Sequence, residues 1–132
     1  MRKDIALCIA RVSLGIVFLA FGIGKLRHDI WAQTIESMDI FQRMPWPAGL
    51  SVIGIGIIEI CTGTGLIIGL WTRLVSLAAA LQLLGILLLL NFQEIRDIGL
   101  FGLALYLFLN GETGFGIDRF SRQRKEKPEN RL

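Results

Sequence analysis

Charged residues are scarce in this chain of 132 residues: they make up 19% of it, against about 25% in typical soluble proteins. Hydrophobic residues account for 53%. Segment 74–93 carries no charge at all, whereas nine of the last fifteen residues are charged. This composition excludes the disordered, fibrous and disulfide-stapled secreted classes. It indicates a membrane protein with a single domain.

Histidine and cysteine are also rare. His28 is the single histidine of the sequence and cannot build a metal site alone, so no metal site is expected. Cys8 and Cys61 lie in apolar runs without C-x-x-C spacing, which is typical of small buried side chains. A long-range redox pair between them is the alternative. No phosphate, dinucleotide or hydrolase motif is present, so no catalytic residue is assigned and no cofactor held by protein ligands is expected.

Four apolar segments follow one another along the chain. Continuous leucine and isoleucine runs without alternating polarity favour membrane helices over barrel strands. About 20 residues are needed to cross the hydrocarbon core, and the fourth segment is the shortest. The sequence therefore predicts an all-α integral membrane protein, a four-transmembrane-helix bundle with helices at about 5–24, 48–70, 74–93 and 98–115. The first segment has no signal-peptide cleavage pattern and is expected to be retained.

The distribution of lysine and arginine predicts the orientation of the bundle. With four spans, both termini and the second loop share one side, which carries nine of these residues. The opposite side carries four, namely Lys25, Arg27, Arg43 and Arg96. We therefore predict a transmembrane domain over 1–118 and a basic tail over 119–132, with both termini in the cytoplasm. The tail fits anionic lipid head groups of the bilayer better than nucleic acid.

The first loop contains apolar residues at helical spacing: Trp31, Ile35, Met38 and Phe41. Polar residues fall mostly on the opposite side. The pattern predicts a short amphipathic interfacial helix at about 29–43, lying on the outer membrane surface between the first two spans. This helix either packs over the bundle or acts as a lid on a lipid-side ligand pocket.

Two charges of opposite sign interrupt the first two spans. Arg11 is the sole charge in the first, and Glu59 is the sole charge in the second. Even the lower estimates for a lone charge at the bilayer centre are about 2.5–3.5 kcal/mol, so such residues usually face the interior and pair. We predict that Arg11 contacts Glu59 and that the amide of Gln82 joins the same cluster. The cluster is either a static ion pair or a site that binds a ligand or passes a proton.

A second set of charges, the outer polar cluster, is predicted where the first span ends and the fourth begins. It comprises Lys25, Glu94, Arg96 and Asp97. These residues are either ordinary interfacial charges or a polar mouth below the amphipathic helix, suited to a polar head group. Glycines of the first two spans, including Gly15, Gly22, Gly56 and Gly63, allow helix backbones to approach closely, within one chain or between two.

The ordered set of landmarks resembles the DoxX family of small four-helix bacterial membrane proteins. The resemblance covers about 5–120, and its best stretch begins at Arg96-Asp97-Ile98-Gly99-Leu100. It departs from the family at Gly116, where a serine is common. The matching positions in the first two spans are Arg11, Gly15, Phe18, Gly22, Lys25, Gly56, Glu59, Gly63, Gly69 and Arg73.

The resemblance implies a location in the bacterial inner membrane, and it implies a function only loosely. Relatives include the DoxD-type subunit of thiosulfate:quinone oxidoreductase, and others look like assembly chaperones. The expected function is a redox-linked accessory subunit, not catalytic alone, that binds a quinone or similar lipid. It would dock a partner oxidoreductase or form a homo-oligomer. The alternative is a non-catalytic membrane scaffold or assembly factor.

Overall fold

A computed structural model describes residues 2–89 and 95–110, which are helical and contain no strand. Three of its helices, Arg2–Leu26, Ala48–Ile68 and Thr72–Leu89, are long and apolar enough to cross a membrane. The basic tail 119–132 and Glu94 lie outside the described residues. The helices are α1 (Arg2–Leu26), α2 (Ile30–Glu36), α3 (Asp39–Gln42), α4 (Ala48–Ile68), α5 (Thr72–Leu89) and α6 (Ile95–Asn110).

The segment expected to form one amphipathic helix is divided into α2 and α3. The Ser37 hydroxyl donates a hydrogen bond to the Thr34 carbonyl at 2.7 Å, and such local bonds compete with continued helix. Met38 then adopts an extended conformation, with φ −69° and ψ 135°, before α3 begins. A second difference concerns α6, which begins at Ile95 and so contains Arg96 and Asp97 in its first turn.

Helices α1 and α4 pack in antiparallel directions, and glycines bring their backbones together. A Cβ atom on Gly22 would lie 2.7 Å from the carbonyl oxygen of Gly56, and one on Gly63 would lie 2.7 Å from that of Gly15. No side chain fits at that distance, so the two backbones touch. The close approach lies within one chain, and it fixes Gly15 opposite Gly63 and Gly22 opposite Gly56.

The bundle consists of two closely packed helix pairs. Helix α1 packs mainly on α4, and α5 packs mainly on α6. An apolar core joins the pairs, with Leu14, Phe18, Leu66, Ala79, Leu83, Ala104 and Leu107 among its buried side chains. Many isoleucine and leucine side chains point outward, including Ile16, Leu81 and Leu109. Exposed apolar residues on this scale suit hydrocarbon rather than water as the surrounding solvent.

Candidate functional site

The glycine register separates Arg11 from Glu59. The guanidinium of Arg11 lies beside Gly69, so close that a Cβ atom there would overlap it. Gly69 is ten residues beyond Glu59 in the sequence, or about 15 Å along a helix. The predicted Arg11–Glu59 contact is therefore wrong, because the packing of Gly15 on Gly63 places Arg11 at the C-terminal end of α4. A cation is electrostatically favourable at that end of a helix.

Glu59 instead forms a buried ion pair with Lys25. The Lys25 ammonium donates to both carboxylate oxygens of Glu59 at 2.7 Å, and the side chains are only 4% and 2% exposed. Lys25 lies near the end of α1, but helical side chains lean toward the N-terminus of their own helix. Lys25 therefore reaches back to the level of Glu59, so each charge is balanced inside the protein.

Gln82 bonds to Thr62 rather than to a charged side chain. Its Nε2 donates to the Thr62 hydroxyl at 2.7 Å. Its Oε1 is buried and accepts no hydrogen bond from the part of the chain that the structure describes. The expectation that Gln82 joins Arg11 and Glu59 is therefore wrong in its partners. Gln82 is linked to Glu59 only through its partner Thr62, which lies one helical turn from Glu59 on α4.

Two members of the outer polar cluster, Lys25 and Arg96, lie over the ring of Phe21, and a third, Asp97, lies beside Arg96. The Lys25 Nζ lies 5.6 Å from the ring centre, and the Arg96 Cζ lies 5.2 Å from it. Both distances are within the range of cation–π attraction. Asp97 is buried, and its Oδ1 lies 3.5 Å from the Arg96 Nε. The cluster is thus joined to Glu59 through Lys25.

A cavity opens between the helix pairs at this end of the bundle. The cavity is partly open, and the space between its lining residues is about 820 Å³ when the part open to the outside is included. Lys25, Glu59, Arg96 and Asp97 line it together with apolar side chains of α1, α4 and α5: Val17, Phe18, Phe21, Ile55, Leu83, Ile86 and Leu89. Glu59 and Lys25 mark its polar inner surface, whereas the half-exposed Arg96 marks its mouth.

The short helices α2 and α3 border the same cavity. Ile35, Met38 and Phe41, three of the four apolar residues found at helical spacing, line it together with Thr34. The side chain of the fourth, Trp31, lies outside the described part. These two helices therefore form a wall of the cavity, and we call them the lid.

Sequence reasoning missed two residues of the site, Phe21 and Thr62. Phe21 precedes Lys25 by four residues in a helix, which places both on one face. That spacing was a usable signal for the cation–π contact. Thr62 offered no comparable signal, because its bond to Gln82 depends on how α4 packs against α5.

The helices and the buried charges define a helical membrane protein. A model of the DoxX family matches residues 6–92, which is well over half of the chain. The chain therefore belongs to the DoxX family. The match includes Lys25 and Glu59 but ends before Arg96 and Asp97. No curated protein and no solved structure matches the chain.

Proposed function

We propose that this DoxX-family membrane protein binds a quinone or a similar lipid in the cavity. The observation that carries the proposal is the cavity itself, which has apolar walls and a buried Lys25–Glu59 pair on its inner surface. Binding sites for small molecules typically combine apolar walls with a few converging polar groups. An amphipathic ligand matches this division, with its apolar part against α1 and α5 and its head near Lys25.

The proposed setting is the bacterial inner membrane, with four spans and the lid at the outer surface. Helix α6 has 16 described residues, or about 24 Å of helix, and it packs along α5 as a fourth span would. The apolar side of the lid lines the cavity, while Asp39 and Arg43 on the lid are largely exposed. An amphipathic segment with this division suits a membrane surface.

In this proposal the protein is an accessory subunit and a partner oxidoreductase supplies the electron transfer. The charged groups of the cavity can bind and orient a polar head, and Glu59 or Asp97 can exchange a proton with it. The redox role draws on membership of the DoxX family, whereas the lipid-binding role draws on the geometry of the cavity.

The test is the quinone content per protein after gentle purification from native membranes. Ile86→Trp fills the cavity, whereas Leu81→Trp adds the same bulk on an outward position of α5 that is 60% exposed. We expect nearly one quinone per protein in the wild type and in Leu81→Trp. We expect little in Ile86→Trp, and little in Glu59→Gln, which removes the carboxylate that pairs with Lys25 on the inner surface. Quinone retained by Ile86→Trp, or missing from every sample, would refute binding in the cavity.

The closed geometry of the Lys25–Glu59 pair favours a second candidate, a non-catalytic scaffold or assembly factor. Lys25 bonds both carboxylate oxygens and both side chains are nearly inaccessible, as in a purely structural ion pair. A scaffold predicts that changing either residue lowers protein abundance and partner recovery together. It also predicts that Ile86→Trp leaves partner recovery in pull-downs unchanged, whereas a ligand-dependent subunit loses partner and quinone in parallel.

A further inference from the structure

Among the residues that the structure describes, the charges that line the cavity are balanced, and this balance restricts the ligand. Resting on the proposed binding of a lipid there, we propose that the cavity selects an amphiphile with an uncharged head that presents an oxygen acceptor to Lys25. The proposal goes beyond a quinone, because it names the property of the head group that the site recognises.

The balance comes from two cations and two carboxylates. Among the described residues, the charged side chains lining the cavity are Lys25, Arg96, Glu59 and Asp97. Lys25 bonds Glu59 at 2.7 Å, and the Arg96 Nε lies 3.5 Å from Asp97. A charged head group would add an uncompensated charge to this neutral set. In an apolar cavity such a charge is strongly disfavoured unless it acquires a partner of opposite sign.

Within the described part of the chain, the ammonium of Lys25 has one N–H donor left for a hydrogen bond. A lysine ammonium has three N–H donors, and two of them point to the oxygens of Glu59. Within residues 2–89 and 95–110, no further hydrogen bond of this ammonium is formed, although it lies 5.6 Å from the centre of the Phe21 ring. A carbonyl or hydroxyl oxygen of the ligand can accept the third N–H. This contact requires no charge on the ligand.

The experiment compares three amphiphiles that share one oleoyl chain and differ in head charge. They are monooleoylglycerol, which is neutral, oleoyl lysophosphatidate, which is anionic, and oleoylcholine, which is cationic. Native mass spectrometry of the full-length protein in a non-ionic detergent measures the affinity of each probe. We expect monooleoylglycerol to bind at least about tenfold more tightly than either charged probe, and Ile86→Trp to abolish its binding.

Two variants each raise the net charge of the cavity by one unit, the first at its inner surface and the second at its mouth. Glu59→Gln leaves Lys25 without its carboxylate, and Asp97→Asn changes the charge at the mouth. Each should shift the affinity ratio toward oleoyl lysophosphatidate by about tenfold. The second variant keeps the test valid if Glu59→Gln does not fold. The control is Asp39→Asn on the lid, which makes the same change on a side chain that is 93% exposed and should leave the ratio unchanged.

The outcomes separate the inference from the proposed function. Equal binding of monooleoylglycerol and a charged probe, both abolished by Ile86→Trp, would overturn the inference and leave the cavity as a lipid site. If none of the three probes binds, or if Ile86→Trp changes the binding of none of them, both the inference and the proposed function are overturned. A shift of the ratio in Asp39→Asn as large as in Asp97→Asn would also overturn the inference, because the effect would then come from overall charge.

Discussion

The ion pair between Lys25 and Glu59 shows how an apolar span tolerates a carboxylate. Both oxygens of Glu59 accept from the same ammonium, and both side chains are nearly inaccessible. Such a pair contributes less to stability than its short distances suggest, because both charges must lose their hydration. Removing one partner is different, since it leaves the other charge buried alone. The pair is therefore expected to be strongly coupled.

Single and double substitutions of the pair measure this coupling. Lys25→Met should lower the free energy of unfolding by about 3–5 kcal/mol, because it leaves the carboxylate of Glu59 buried without a cation. The double variant Lys25→Met/Glu59→Met should be close to the wild type or more stable, since replacing a buried pair by apolar residues is often neutral. Denaturant unfolding in detergent measures the wild type, Lys25→Met, Glu59→Met and the double variant. Losses that simply add in the double variant would contradict the coupling.

The sequence identified the unusual charges but not their partners. Arg11 and Glu59 stood out because each is the sole charge in an apolar run, and the structure buries both. Which residues meet depends on the register between helices, and no pattern within one helix encodes that register. Lys25 was therefore assigned only to the outer polar cluster, although it also balances Glu59.

At the scale of helices, the glycines of α1 and α4 determine which side chains meet. The contacts of Gly15 with Gly63 and of Gly22 with Gly56 fix the register. That register brings Lys25 to Glu59 and Arg11 to the end of α4. The sequence showed that the glycines permit close packing. It did not show which glycine faces which, because several pairings satisfy the same spacing.

Adding a single methyl group tests this contact. In Gly22→Ala the new Cβ would lie 2.7 Å from the carbonyl oxygen of Gly56 and 2.7 Å from the side chain of Ile60. The backbones must separate, and overpacking of this kind typically lowers stability by about 1–3 kcal/mol. Gly54→Ala on α4 is the matched control, because nothing lies within 4 Å of its Cβ position. Thermal unfolding in detergent should show a lower midpoint for Gly22→Ala alone, and equal midpoints would refute the close contact.

The lid shows another limit of the helical pattern. The spacing of Ile35, Met38 and Phe41 predicted one face correctly, since all three line the cavity. It did not reveal the break at Ser37 and Met38, because both residues also occur within helices. At the break Ser37 caps α2 and Met38 is extended, and the periodicity of apolar residues does not encode this local geometry.

At the scale of the whole molecule, the cavity lies where the two helix pairs meet. Hydropathy marks the long helices, because each must match the thickness of the hydrocarbon. It contains no information on the space between them. That space arises because the glycines draw α1 against α4, while α5 packs mainly on α6. The lid then adds a mostly apolar wall, and Arg96 and Asp97 in the first turn of α6 supply the polar mouth.

The contacts between α1 and α4 show which helix ends lie together in the bundle. Because Arg11 lies beside Gly69, the N-terminus of α1 and the C-terminus of α4 are at the same end of the bundle. If the chain has the four spans that the sequence predicts, the basic tail lies at this end too, and the excess of lysine and arginine there predicts that this end is cytoplasmic. Asp39, on the lid at the opposite end, should then face the exterior.

Single cysteines at the two ends test this orientation, in a background of Cys8→Ser and Cys61→Ser. In right-side-out membrane vesicles, a membrane-impermeant maleimide should label Asp39→Cys, whose native side chain is 93% exposed. It should label Lys3→Cys only after the vesicles are permeabilised, because the bilayer separates that end from the reagent. The reverse pattern would contradict the cytoplasmic assignment. Labelling of both positions in sealed vesicles would contradict the placement of α1 across the membrane, since α1 alone connects the end bearing Lys3 to the lid.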